Sequence, residues 1–217
     1  MNSNHGGENN SYIRTGTRLK RVIRKLYYFI FAKLILITHY DRKFLKGSKY
    51  FIGEKRGKFS APGWQWVVDD HIACKRLRVN RDIPWPVSAR IHVIKPDNIH
   101  FSPDDLNNFQ GFGSYFQGIG EITIGKGTFI APNVGLITAN HDVNDLDSHS
   151  KSKPIVLGDR CWIGMNSVVL PGVRLGSNTI VGAGSIVTKS FEQGNCIIAG
   201  NPAKVIRYLD TENLDDI

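Results

Sequence analysis

One period decides what this 217-residue chain can fold into. In "IVLGDRCWIGMNSVVLPGVRLGSNTIVGAGSIVTKS" an aliphatic residue falls at Leu157, Ile163, Val169, Leu175, Val181 and Val187, six apart each time, and Gly158, Gly164, Gly176 and Gly182 follow directly. The register extends upstream to Ile124, Ile130 and Leu136, with Gly125 and Ala131 in the next slot. A period of six fits neither the 3.6 of a helix nor the alternation of a hairpin strand. It fits a prism-shaped solenoid in which each hexapeptide supplies one flat face and one corner, and three hexapeptides make a coil. The aliphatic side chains stack inward, and Gly or Ala stands where the backbone turns with little room for a side chain. The expected fold class is therefore an all-β solenoid, preceded by a partly helical accessory region.

The rhythm fails once, over "ITANHDVNDLDSHS", residues 137–150. Leu136 and Leu157 are 21 residues apart, and counted against a whole coil of three hexads the run has three residues too many. Asn140, Asp142, Asn144, Asp145, Asp147, Ser148 and Ser150 are too polar for a buried face, so the run is expected to leave the prism as a loop. On the residues alone it is either a tolerated insertion with a solvated histidine or a mount for a reactive group.

The segments "IGEITIGKGTFIAPNVGLITANHD", "PIVLGDRCWIGMNSVVLPGVRLGSNTIVGAGSIVTKS" and "IIAGNPAKVIR" resemble the hexapeptide-repeat acyltransferases, in particular bacterial sugar O-acetyltransferases of the galactoside, maltose and capsular-polysaccharide groups. The resemblance covers residues 84–208 and is strongest after Ile119. It implies a left-handed parallel β-helix, a homotrimer with active sites between neighbouring subunits, and acetyl-CoA (coenzyme A) as co-substrate with no metal. It also implies that His141, at the start of the loop, is the general base, a role imidazole suits because its pKa lies near neutrality. Asn140 beside it is placed with the acceptor. Asp142 is taken as the catalytic partner, although Asp145, Asp147 or a backbone carbonyl would fix the imidazole tautomer equally well. His149 is read as a solvated loop residue, with a second polar group at the acceptor site as the other reading.

In the same way Trp162 in "CWIG" matches a tryptophan of the acetyl-donor pocket, in contact with both substrates, and Gly164 follows it. Ala183 in "GAGS", with Thr188 and Lys189, aligns with the path of the pantetheine and adenine, although small residues there also serve as turn residues. Lys204 and Arg207 in "GNPAKVIR" match basic residues near the coenzyme's phosphates. The chain departs from the family in two places: the N-terminal substrate-binding residues of the small-sugar enzymes have no counterpart, and "GFGSYFQ" lacks the asparagine some members use near the acyl carbon. Tyr115 and Gln117 are the candidates to replace those contacts to a sugar.

The function expected is O-acetyl transfer to a sugar hydroxyl of a capsule, O-antigen or related glycan. The alternatives are a galactoside- or maltose-type or serine acetyltransferase, and a non-catalytic β-solenoid scaffold. A metal-dependent hydratase on the same solenoid would need three histidines at stacked coil spacing. His5, His39, His71, His92, His100, His141 and His149 do not supply it.

Outside the repeat, charge is the informative signal. Residues 1–60 carry 14 Lys/Arg against 3 Asp/Glu, and residues 61–217 carry 14 against 16, so the excess of +9 belongs to the N-terminal segment alone. Such a basic arm suits an anionic surface, here a membrane rather than nucleic acid. Within "RLKRVIRKLYYFIFAKLILITHYDRK" the apolar run from Leu26 to Ile37 would reach about 18 Å as a helix, short of the ~30 Å hydrocarbon core. It is expected either to pack on the domain or a partner subunit, or to lie at a membrane surface.

The divisions expected are a disordered start over 1–17 without a secretory signal, a capping region over 18–81, the β-helix over 82–208 with irregular opening coils, and a solvated acidic tail over 209–217. Cys74, Cys161 and Cys196 are odd in number and scattered, which argues for a reducing compartment and a cytoplasmic setting, at the inner membrane face if the arm binds lipid.

Overall fold

The computed structural model describes residues 8–44, 48–52 and 61–210. The first coil holds β1 (His92–Ile94) and β2 (Ile99–His100), then the 3-10 segment Pro103–Phe109 in place of a third strand. The second holds β3 (Tyr115–Gln117), β4 (Ile122–Ile124) and β5 (Phe129–Ile130). The third holds β6 (Gly135–Ile137), β7 (Ile155–Leu157) and β8 (Trp162–Ile163), and the fourth β9 (Val168–Val169), β10 (Arg174–Leu175) and β11 (Thr179–Val181). The last coil runs from β12 (Ile186–Val187) through Phe191, which bridges to Leu175, to β13 (Cys196–Gly200). From there β14 (Ala203–Tyr208) turns back antiparallel along β13.

These strands pair in three sheets that form the faces of the prism: β1–β3–β6–β9–β12, β2–β4–β7–β10 and β5–β8–β11–β13–β14. Every pairing except β13 with β14 is parallel. The hexad aliphatics fill the interior: Leu136, Leu157, Ile163, Val169, Leu175, Val181 and Val187 are all buried. Burying one such side chain contributes roughly 1.5–3 kcal/mol. The glycine after each aliphatic has a steric cause, because corners of successive coils stack directly. A Cβ on Gly158 would lie 2.5 Å from the Ser177 nitrogen, and one on Gly125 would lie 2.3 Å from the Gly158 carbonyl.

The sheet assignment corrects the size of the interruption. Leu136 lies on the first sheet and Leu157 on the second, and a regular corner between them takes six residues, as from Val169 to Leu175. The 21-residue gap therefore holds fifteen extra residues rather than three. Ile130 and Ile163, paired on the third sheet, confirm it: they are 33 apart, whereas Ile163 and Val181 are 18 apart.

Ahead of the solenoid lie α1 (Glu8–Thr38), α2 (Lys49–Ile52) and α3 (Pro62–Leu77). α1 begins at Glu8, ahead of the apolar run, since extending an existing helix gains one bond per residue fixed; residues 1–7 of the start lie outside the described residues. The tail from residue 211 lies outside the described residues. Phe29 of α1 meets Trp64 of α3 edge-on at 5.0 Å, and Ala32 is fully buried. The aromatic series Trp85, Phe109 and Phe116, with centroids 5.2 and 4.9 Å apart, carries this packing into the first coils. The open end of the prism is thus closed by apolar side chains.

On α3, burial pushes the Asp70 carboxyl up to about 7, against a hydrogen bond from Gln110 that favours the charged form. Its folded pKa is raised, so the folded chain holds a proton that the unfolded chain has already released. Stability from this group is full below about pH 4 and falls as pH rises toward 7. Asp70→Asn should accordingly raise the unfolding free energy read from urea titration at pH 8, by up to about 4 kcal/mol, and leave it unchanged at pH 4. An equal gain at both pH values would contradict the cause.

Candidate active site

The fifteen extra residues leave the corner between the first and second sheets as a small hairpin. His141 and His149 form an isolated antiparallel bridge across it. Asp142 N–H donates to the Ser148 carbonyl (3.0 Å) and Ser150 N–H to the Asn140 carbonyl (2.9 Å). The polar residues shape the turn themselves: Asp142 Oδ1 accepts from Asn144 N–H at 2.8 Å and Asp145 Oδ1 from Asp147 N–H at 3.2 Å. Such self-bonding makes Asp and Asn turn formers, and it explains the composition without invoking chemistry.

The base of the hairpin is braced by the preceding coil. Gln117 Oε1 accepts from Thr138 N–H (3.0 Å) and Ala139 N–H (2.9 Å), and the Thr138 hydroxyl donates to the Gln117 carbonyl. The Gln117 oxygen, expected at a sugar, is used within the fold. Tyr115 is half-buried on the outer side of β3, its ring 5.4 Å from that of His92, while Phe116 points inward.

Both histidines are exposed, with ring centroids 4.5 Å apart and planes tilted by 31°. His141 Nδ1 lies 2.7 Å from the Leu146 carbonyl oxygen. A carbonyl only accepts, so the hydrogen of this bond sits on Nδ1, and a neutral imidazole then presents a bare Nε2. That is the arrangement of a general base held in one tautomer. Of the possible orienters, the backbone carbonyl of Leu146 is the group in contact with the ring. Asp142, expected as the catalytic partner, turns Oδ1 to its own backbone two residues on, where it accepts from Asn144 N–H. Leu146 could not be found from sequence, since a carbonyl has no residue signature.

The remaining predicted residues divide between two edges of the prism. Thr188 and Lys189 are exposed at the corner the hairpin leaves, two coils further on, with Lys189 Nζ 5.7 Å from the Phe191 ring centre. Trp162, Ile180, Ile197 and Arg207 register in one row across the third sheet, facing outward. Gly164 and Ala183 stand at the corner after that sheet, and Lys204 pairs with Ala199 at its far end. A Cβ on Gly164 would come 2.6 Å from the Val181 carbonyl, so backbone packing requires that glycine. Within one chain, then, His141 and Asn140 belong to one corner and Trp162, Lys204 and Arg207 to the third face. Among the described residues no three His, Cys, Asp or Glu side chains converge to hold a metal ion.

Residues 154–189 match the family model for the bacterial transferase hexapeptide (six repeats). That match carries the left-handed sense of the parallel β-helix with it, and the hexapeptide-repeat transferase resemblance is borne out. Over 119 residues, 54% of this chain and 60% of the relative, the chain is 44% identical to a Dictyostelium discoideum protein named as an acetyltransferase. It is 44% identical over 92 residues to the galactoside O-acetyltransferase of Escherichia coli, covering 41% of this chain and 45% of that one. It is also 43% identical over 89 residues to Escherichia coli WcaF, named for acetyl transfer in colanic acid biosynthesis, covering 41% and 48%. The chain thus spans between 45% and 60% of the length of these relatives.

Proposed function

We propose that this chain, whose coils carry the hexapeptide repeats of bacterial transferases, is an acetyl-CoA-dependent O-acetyltransferase acting on a sugar hydroxyl of a surface polysaccharide or its precursor. The observation that carries the proposal is the 2.7 Å contact between His141 Nδ1 and the Leu146 carbonyl, which leaves Nε2 as the base. In this reading Nε2 takes the proton of the acceptor hydroxyl as its oxygen attacks the thioester carbonyl carbon. The tetrahedral oxyanion then collapses, the C–S bond breaks, and the departing thiolate of coenzyme A recovers the proton from the imidazolium. Similarity to WcaF supports a polysaccharide acceptor, and similarity to the galactoside enzyme supports a small galactoside as the second reading. In this reading the reaction is cytoplasmic.

The donor binds against Trp162, with Lys204 and Arg207 near its phosphates, and a homotrimer brings that face beside the hairpin of the neighbouring subunit. Support comes from apolar groups left open on both edges: Phe129 and Trp162 are each 56% exposed, and Val143 and Leu146 on the hairpin are 89% and 71% exposed. A head-to-tail contact closed into a ring buries both edges in every copy.

Release of the coenzyme A thiol, followed over a panel of capsular and O-antigen glycans, galactosides and serine, tests the reaction. No acceptor-dependent release, or no acetyl ester on the sugar, would overturn it. Mixed assembly tests the shared site: trimers reassembled from equal His141→Ala and Trp162→Ala protomers should regain roughly a quarter of wild-type sites by random association. A rate equal to the mean of the two parents would place both residues in one subunit's site.

A further inference from the structure

The long helix α1 is apolar on two sides, and the fold uses only one. Tyr28, Phe29, Ala32, Ile35 and Leu36 turn toward the body of the domain. On the opposite side Leu19, Ile23, Leu26, Ile30, Leu34 and Ile37 recur at spacings of four and three, and each is 48–69% exposed. Tyr27 and Phe31, with centroids 4.4 Å apart, continue this arc at its margin. From Leu19 to Ile37 the arc is about 27 Å long, and with Val22, 57% exposed, at its other margin it takes up roughly half the helix circumference at 100° per residue. Among the described residues no helix is long and apolar enough to cross a membrane.

Two occupants suit such a face: a second copy of the helix, or the boundary between headgroups and acyl chains. Width and charge decide between them. A coiled-coil seam is a narrower stripe than half a circumference. Lys20, Arg21 and Arg24 gather at the same end of the arc in a segment carrying 14 Lys/Arg against 3 Asp/Glu. Three parallel copies would bring those cations together, whereas an anionic surface neutralises them.

We propose that the exposed face of α1 docks the protein on an anionic phospholipid surface, the helix lying in the plane of the headgroups with its apolar arc in the acyl boundary and the solenoid on the aqueous side. That the docked enzyme meets a lipid-linked glycan rests on the acetyltransferase reading; the docking itself does not.

Flotation of the full chain with vesicles of phosphatidylcholine containing phosphatidylglycerol tests it, with pure phosphatidylcholine as the control. The protein should float with the anionic vesicles and stay below with the neutral ones. Leu26→Glu combined with Ile30→Glu should abolish flotation. Lys20→Gln, Arg21→Gln and Arg24→Gln should each weaken binding about fivefold, together on the order of a hundredfold. Helix content and melting by circular dichroism confirm that the variants fold, and acetyl transfer to a water-soluble acceptor should be unchanged in all of them. Failure of the wild-type chain to float, or flotation of the Leu26/Ile30 variant, would overturn the proposal. So would a wild-type assembly in solution that this variant splits, which would mean that a second copy covers the face. Flotation is read without acetyl-CoA, so docking can fail while transfer persists, and the reverse.

Discussion

Replacing His141 with alanine is expected to lower kcat for acetyl transfer about 10²- to 10⁴-fold, the usual worth of a positioned general base. KM for acetyl-CoA and the melting temperature should stay near wild type, since the ring is exposed and makes its bond to a loop carbonyl. The sharper test is Asp142→Asn. An asparagine oxygen still accepts from the Asn144 N–H, so if Asp142 only shapes the turn, activity should remain within about fivefold of wild type. Were the carboxylate instead to hold the imidazole tautomer, the same change would cost about 10⁴-fold, as in a serine-protease triad whose aspartate becomes asparagine. His149→Ala should fall between these extremes, because His149 packs on the His141 ring but makes no hydrogen bond to it that would fix a tautomer. A His141→Ala enzyme with wild-type kcat would remove the chemistry from the hairpin altogether.

The period of six made the solenoid legible, because inward stacking demands an aliphatic residue at every face whatever else varies. The same uniformity hid the geometry of the interruption. All three faces look alike from inside, so the positions of Leu136 and Leu157 do not say which sheet each joins; only their pairing partners do, and with them the full length of the hairpin. His141 was legible because a histidine in a polar excursion is chemically distinctive. Its orienter was not, since any residue supplies a carbonyl and only the backbone path brings that of Leu146 to Nδ1. The first coil shows a third limit: where Pro103–Phe109 replaces a strand, the hexad disappears, and side chains perform work that backbone does elsewhere.

Asn108 performs that work at the exposed end of the third sheet, and replacing it with leucine is expected to destabilise the fold by about 2–6 kcal/mol. With a 3-10 segment in place of a strand beside β5, the strand's backbone groups on that side have no strand to pair with. Asn108, buried within the segment, fills the role with its amide: Nδ2 donates to the Thr128 carbonyl at 2.8 Å, and Oδ1 accepts from Ile130 N–H at 2.9 Å. Asp105 Oδ2 accepts from Gly127 N–H at 2.9 Å and completes the row. Leucine keeps the forked shape of asparagine and is the larger side chain, so the main cost is not a cavity. It is two buried backbone groups without partners, each worth roughly 1–3 kcal/mol. Asn108→Asp separates the two bonds, because a carboxylate still accepts from Ile130 but faces the Thr128 carbonyl with like partial charge. Its folded pKa should therefore be raised, and its destabilisation should grow as pH rises above about 4. The melting temperature should drop about 2–4 °C per kcal/mol for a chain of this size. Acetyl transfer by the fraction still folded should be unaffected, since the hairpin leaves a different corner of the prism. A loss below about 1 kcal/mol for the leucine variant would mean that water or a rearranged segment satisfies β5, and that the prism does not depend on Asn108 for its closure.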